Sequence, residues 1–105
     1  MALSNSISAY EDCYAHFDRA NASANGIRIL LTTEKEANYL RFRLNQARAL
    51  ERRDTMRLYP RDDPRFGKSE NDKFRISVIP AAEGETGYWV YLQPWDQKVE
   101  EIEEL

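Results

Sequence analysis

The side chains here that could act as nucleophiles, metal ligands or proton carriers are few, and their spacing suits no familiar reaction. Cys13 and His16 are the only cysteine and the only histidine. Three residues apart on a helix, they share a side and could supply two metal ligands. A usual zinc set needs more, and no other Cys or His completes it. A serine or cysteine nucleophile would depend wholly on His16 as its base, and neither a nucleophile elbow nor a glycine-rich oxyanion loop accompanies it. Gly67-Lys68-Ser69 ends like a phosphate-binding loop, but that motif requires a glycine five residues earlier, where Asp62 stands, with a strand before it and a helix after it. Asp62-Asp63 and the Glu70/Asp72 pair flank a stretch that could hold a divalent ion, as a nuclease would require, without forming a recognised ligand pattern. Solvation accounts for acidic loops of this kind. The sequence therefore predicts no catalytic residue, no metal, no cofactor and no enzyme.

What remains is recognition by charge. Arg41, Asn45, Arg48 and Arg52 recur at helical spacing within TEKEANYLRFRLNQARALERRDTMRL, residues 33–58. They form a cationic ridge between two apolar lines, one of Ala37, Leu40, Leu44, Ala47 and Leu58, the other of Phe42, Ala49 and Met56 at seven-residue spacing. Charge is unevenly distributed: eight arginines stand against four acids between Arg41 and Arg65, whereas residues 94–105 carry five acids and one lysine. Eleven of the fifteen basic residues are arginine, which favours bidentate contact with carboxylate or phosphate. Arg41, Asn45, Arg48, Arg52, Arg61 and Arg65 are thus the expected partner-binding residues. The competing reading is internal, with these arginines paired to the chain's own acids. A helix with two separated apolar lines must cover both, so Phe42, Ala49 and Met56 are expected to mark self-association, as a homodimer, or partner contact.

The elements that would position these residues follow from periodicity. Thr33 and Glu36 form an expected capping box, and no Pro or Gly interrupts the next stretch until Pro60, so a long helix is predicted from about Glu34 to Tyr59. Ile7, Tyr10, Tyr14 and Phe17 give an earlier helix within residues 4–24, closed by Asn25-Gly26. Ile27 to Thr32 reads as a strand. Tyr59 to Asp72, with two prolines and a glycine, reads as a loop. Lys73–Pro80 and Tyr88–Gln93 alternate as two strands of a hairpin turned at residues 83–87. Trp95, Val99, Ile102 and Leu105 give residues 94–105 the pattern of an acidic amphipathic tail helix. The expected class is α+β, in the order α-β-α-β-β-α, with a small antiparallel or mixed three-stranded sheet and a long central helix across one face. The other face would carry Arg28, Arg75, Trp89 and Tyr91. It would serve either as a platform for stacking the bases of single-stranded nucleic acid, or as a surface covered by the first helix or the tail.

Composition sets the limits. One domain, residues 1–105, suits this length, and 42% hydrophobic with 11% aromatic content argues for a folded core. No stretch approaches the roughly 18 to 20 apolar residues of a membrane span, and a lone cysteine with no leader pattern points to a reducing cytoplasm. A net charge of −3 weighs against a dedicated nucleic-acid binder, which is usually basic.

The segments GIRILL, LRFRLNQARALERRDTMRLYP and DDPRFGKSENDKFRISV, covering about residues 26 to 79, resemble small uncharacterised proteins encoded by bacteriophages and prophages. The resemblance implies residence in the host cytoplasm and action by binding and redirecting or blocking a host machine, including a defence system. The resulting expectation is a non-catalytic interaction protein that modulates or inhibits a host protein or ribonucleoprotein. The alternative is a nucleic-acid-binding module that lays the arginine-rich helix on phosphates.

Overall fold

The computed structural model describes residues 7–95. A 3-10 turn at Ile7–Tyr10 leads into helix α1 (Glu11–Asn21), strand β1 (Ile27–Leu31), the long helix α2 (Glu34–Leu58), a second 3-10 turn at Glu70–Lys73, and strands β2 (Phe74–Pro80) and β3 (Tyr88–Pro94). This is the expected α+β class. The tail helix expected over 94–105 falls, from residue 96 onward, outside the described residues, as does the start of the first helical stretch.

Helix α2 begins and ends where its sequence signals place it. Thr33 is extended, and its hydroxyl accepts the Glu36 amide at 3.1 Å, the Thr33 half of the expected capping box. Glu34 and Glu36 sit at the positive end of the helix and Arg57 at the negative end. At Tyr59 the backbone returns to an extended conformation just before Pro60, which cannot continue a helix.

The sheet is antiparallel throughout, in the order β1-β3-β2, so the last strand lies in the middle. Two glycines permit this closeness. A side chain at Gly26 (φ +84°) would place its Cβ 2.0 Å from the Leu92 carbonyl oxygen, and one at Gly87 (φ +117°) 2.6 Å from the Leu31 carbonyl oxygen. The register puts Ile27, Ile29, Leu31, Phe74, Ile76, Val78, Tyr88, Val90 and Leu92 on one face, and Arg28, Leu30, Arg75, Ser77, Ile79, Trp89, Tyr91 and Gln93 on the other.

Both helices pack on the first face. Ala37, Leu44, Ala47 and Leu50 of α2 share one core with Tyr10, Cys13, Phe17 and Ala20 on the N-terminal side and with Phe74, Val90 and Leu92 of the sheet. The Phe17 and Phe74 rings stack with centroids 6.1 Å apart. The alanines let backbones approach closely, and Leu40 packs half-buried at the edge. Leu58, expected in the buried line, is 72% exposed, because the buried stretch of α2 ends at Leu50, two turns earlier. Helix α1 therefore does not cover the second sheet face. It lies beside α2, held by Arg43, which donates to both Asp12 carboxylate oxygens (2.6 and 3.0 Å) and to the Ala9 carbonyl, and by the Tyr14 hydroxyl, which donates to the Ala47 carbonyl.

Candidate functional site

Helix α2 divides the predicted arginine ridge between two environments. Arg48 is buried, 8% exposed. Its guanidinium donates to the carbonyls of Phe74 (2.7 Å) and Asn71 (3.2 Å) and to the Asn45 side-chain oxygen. One turn on, Arg52 donates from Nε and Nη2 to one Asp72 oxygen. The other Asp72 oxygen accepts the Ser69 amide, while the Ser69 hydroxyl accepts the Asn71 amide and donates to Glu51. Ser69 and Asp72 thus make both halves of a capping box on the 3-10 turn. Asn71 completes the cluster by donating to Glu51 at 2.8 Å and accepting from Asn21 at 3.1 Å.

The cluster clamps the connection between α2 and β2 onto the helix. Burial alone would raise the Asp72 carboxyl, but the Arg52 guanidinium and the Ser69 amide outweigh it and hold it below its usual range. Burial, with Arg52 nearby, lowers Arg48 as well, offset in part by Asp72 and Glu51. An arginine stays charged through such a shift, so Arg48 remains a fixed cation under the start of β2.

The second environment lies on the opposite side of α2. Phe42 and Met56 are 41% and 49% exposed, Ala49 is exposed between them, and Tyr39 is 57% exposed one turn before Phe42. The strip from Phe42 to Met56 runs about 21 Å at 1.5 Å per residue. Exposed Arg41 flanks it on one side and exposed Arg57 on the other. Asn45 lies on the same outward side, although its oxygen is committed to Arg48.

Beyond Met56, residues 59–70 fold back against the end of α2 and enclose a cleft of about 480 Å³ lined by Glu51, Asp54, Tyr59, Arg65, Lys68 and Glu70 among others. The Lys68 amide donates to the Thr55 hydroxyl, which ties this loop to the helix. Arg65 chelates Asp63 through Nε and Nη2 and stacks on the Tyr59 ring at 3.8 Å. Its neighbour in the expectation, Arg61, is exposed. Ser69 and Glu51 are the residues that the sequence reading missed. Ser69-x-x-Asp72 before an apolar strand was the available signal, and it is the same signal that located Thr33.

The features weighed for catalysis stay apart. Cys13 is fully buried and its thiol is pushed up to about 11 by burial, while half-buried His16 on the next turn is held below its usual range by burial and by Arg19. Among the described residues, no group of three or more His, Cys, Asp or Glu is placed to hold a metal ion. Lys68 lines the cleft, but it is followed by the capped 3-10 turn rather than by the long helix of a phosphate-binding loop. No described helix is long and apolar enough to cross a membrane. Comparison with protein-family models, with curated proteins and with solved structures gives no match.

Proposed function

We propose that this protein is a non-catalytic interaction module that binds a partner protein through the outward face of α2, and that the docked surface is apolar at its centre and acidic at its rim. One observation carries the reading: Tyr39, Phe42 and Met56 are exposed along the side of α2 opposite the core, flanked by exposed Arg41 and Arg57. Exposed apolar side chains scattered singly need no explanation, but a row of them with a cationic border is the pattern of a recognition surface. Self-association through the same strip is disfavoured by charge. Two copies would bring Arg41 and Arg57 against their own kind, whereas an acidic partner neutralises them.

The resemblance to small phage-encoded proteins makes a host protein, or the protein part of a ribonucleoprotein, the natural target, with blocking as the mode of action. The test is capture from host lysate with and without nuclease, comparing the native chain with an Arg41→Gln/Phe42→Gln/Met56→Gln variant. Photo-crosslinking from position 42 identifies what touches the face. The expected result is a nuclease-insensitive partner whose capture falls tenfold or more in the variant. Unchanged capture by the variant would reject the face. Capture that disappears with nuclease and weakens steeply with salt would replace this reading with binding to phosphates.

A further inference from the structure

The cleft of about 480 Å³ between the end of α2 and residues 59–70 lies within the range of about 300 to 1,000 Å³ that small-molecule sites occupy. Its walls are held by contacts that need no occupant. The Asp63, Phe66 and Lys68 amides donate to the Pro60, Asp63 and Arg65 carbonyls in successive turns, the Lys68 amide also reaches the Thr55 hydroxyl, and the Ser69–Asp72 capping box fixes the far end. A site already formed loses little freedom when a ligand enters. Several polar groups in the lining are spent on this framework. The Thr55 hydroxyl donates to the Arg52 carbonyl, the Ser69 hydroxyl is shared between the Asn71 amide and Glu51, and Arg65 is bound to Asp63 and stacked on Tyr59. Four charged groups are not spent. Oε1 of Glu51 takes both the Ser69 hydroxyl and the Asn71 side chain, which leaves its other oxygen open, and Asp54 has its ion-pair contact, with Arg53, at 3.9 Å, beyond hydrogen-bond length. The side chains of Glu70 and Lys68 make no hydrogen bond or ion pair among the described residues. Lys68 therefore pairs with none of the three carboxylates that line the same space.

Opposite charges that share a cleft without pairing are held apart across it, and a ligand carrying both signs can join them. Other ligand classes fit less well. An anion such as phosphate would meet three carboxylates. A metal ion needs converging ligands, and no group of three His, Cys, Asp or Glu among the described residues is placed to hold one. A neutral apolar molecule would desolvate the charges and give nothing back. We propose that the cleft binds a free basic α-amino acid, arginine or lysine, whose two cations and one carboxylate mirror the three carboxylates and one ammonium of the lining. The α-ammonium and the side-chain cation go to Glu51, Asp54 and Glu70, and the α-carboxylate goes to Lys68. The aliphatic stem lies along Tyr59 and Pro64, since such stems pack on apolar surface while their charged ends stay with polar partners. Neither Phe42, Ala49 nor Met56 lines the cleft, so the inference stands independently of the α2 reading.

The test titrates the isotope-labelled full chain and follows its backbone amide shifts at about 0.15 M salt, which screens diffuse attraction between exposed charges. The probes are L-arginine, L-glutamate and Nα-acetyl-L-arginine methylamide, the last of which keeps the guanidinium but loses both α-charges, as an arginine within a partner protein does. The expected result is saturable shifts at Asp54, Tyr59, Lys68 and Glu70 with L-arginine, and binding of the other two probes weaker by at least about fivefold. Asp54→Asn and Lys68→Gln should each weaken L-arginine by at least about fivefold, and Lys68→Gln should leave the capped arginine unchanged. Both variants alter partly or fully exposed side chains, and unchanged shifts outside the cleft verify that they fold as the native chain does. Absence of saturable shifts with L-arginine would overturn the proposal, as would undiminished binding in both variants. Equal affinity for the capped arginine would mean that the cleft takes a guanidinium alone, from a partner's side chain, and would overturn the assignment to a free amino acid. Equal affinity for L-glutamate would overturn the match of charges.

Discussion

The two sides of α2 use the same kinds of residue for opposite ends. Inward, Leu44 is fully buried and Arg48 is nearly so, its guanidinium holding two backbone carbonyls. Outward, Phe42 and Met56 are about half-exposed with exposed Arg57 beside them, and Arg41 stands in solvent at the border between the two sides. Neither apolar character nor charge distinguishes the sides, since each has both. What distinguishes them is the shape of what lies opposite. Ala37 and Ala47 allow the sheet and α1 to approach the inward side, and the Ser69–Asp72 turn supplies acceptors within reach of Arg48 and Arg52. The outward side keeps Phe42, Ala49 and Met56 exposed, with only the loop at Gly67 lying beside the Met56 side chain.

The comparison breaks first at Leu44. Leu44→Ala is expected to cost about 2 to 5 kcal/mol in urea unfolding, as a buried large-to-small change, against less than about 0.5 kcal/mol for exposed Arg41→Gln. A Leu44→Ala loss smaller than that of Arg41→Gln would invert the assignment of sides. Next comes Arg48→Met, which keeps most of the stem and removes the guanidinium. It leaves the Phe74 and Asn71 carbonyls without this donor and should cost about 2 to 4 kcal/mol. Arg52→Gln, which breaks a partly exposed pair, should cost no more than about 1 kcal/mol. Equal and small losses at positions 48 and 52 would mean that the clamp adds nothing beyond a surface ion pair.

Acid sharpens the same contrast, because the clamp and the α1–α2 pair hold carboxylates and the outward strip holds none. Asp72 and Asp12 are both held below their ordinary range, Asp72 against its own burial and Asp12 chiefly by Arg43. A carboxyl depressed in the folded state stabilises fully above its unfolded value of about 3.9 and loses that contribution as pH falls through the lower folded value. His16 adds an earlier and shallower loss. Its folded value is also lowered, so the unfolded chain takes up the proton first and stability begins to fall below about pH 6.5. Melting temperature should therefore decline gently below about 6.5 and steeply below about 4. His16→Gln should remove the first phase and Asp72→Asn part of the second. A steep phase unchanged in Asp72→Asn would detach the clamp from acid stability.

Much of the architecture was legible in the sequence because its signals are local. The Thr33 cap, the uninterrupted run to Pro60 and the alternation in Phe74–Val78 and Tyr88–Leu92 each specify an element without reference to the rest. The sides of α2 were harder to read. Arg41, Arg48 and Arg52 line up within about 40° of helix arc at 100° per residue, and nothing local says that the middle one points at a carbonyl 26 residues away. Leu58 failed for a related reason: periodicity assigns a side, but nothing local says that the buried stretch of the helix stops at Leu50. Position of a helix over the sheet is also a tertiary property, and it put α1 beside α2 rather than on the second face.

The smallest expected effect on stability belongs to the outward strip, and there the functional reading is most exposed to failure. Phe42→Gln/Met56→Gln removes both large apolar side chains while keeping helix propensity close to its native value, since Gln is itself a good helix former. Neither residue belongs to the hydrophobic core. Unfolding free energy should therefore shift by no more than about 0.5 kcal/mol per site. If the strip is a recognition surface, the same variant should lose at least tenfold in partner affinity, about 1.4 kcal/mol. Sedimentation in the absence of a partner should give one molecular mass for the native and variant chains. A native dimer that dissociates in the variant would show that the strip is occupied by a second copy, with the Arg41 and Arg57 repulsion overcome by apolar burial. A loss of several kcal/mol in the monomer would instead mean that Phe42 and Met56 support the fold, and the contrast between the two sides of α2 would no longer hold.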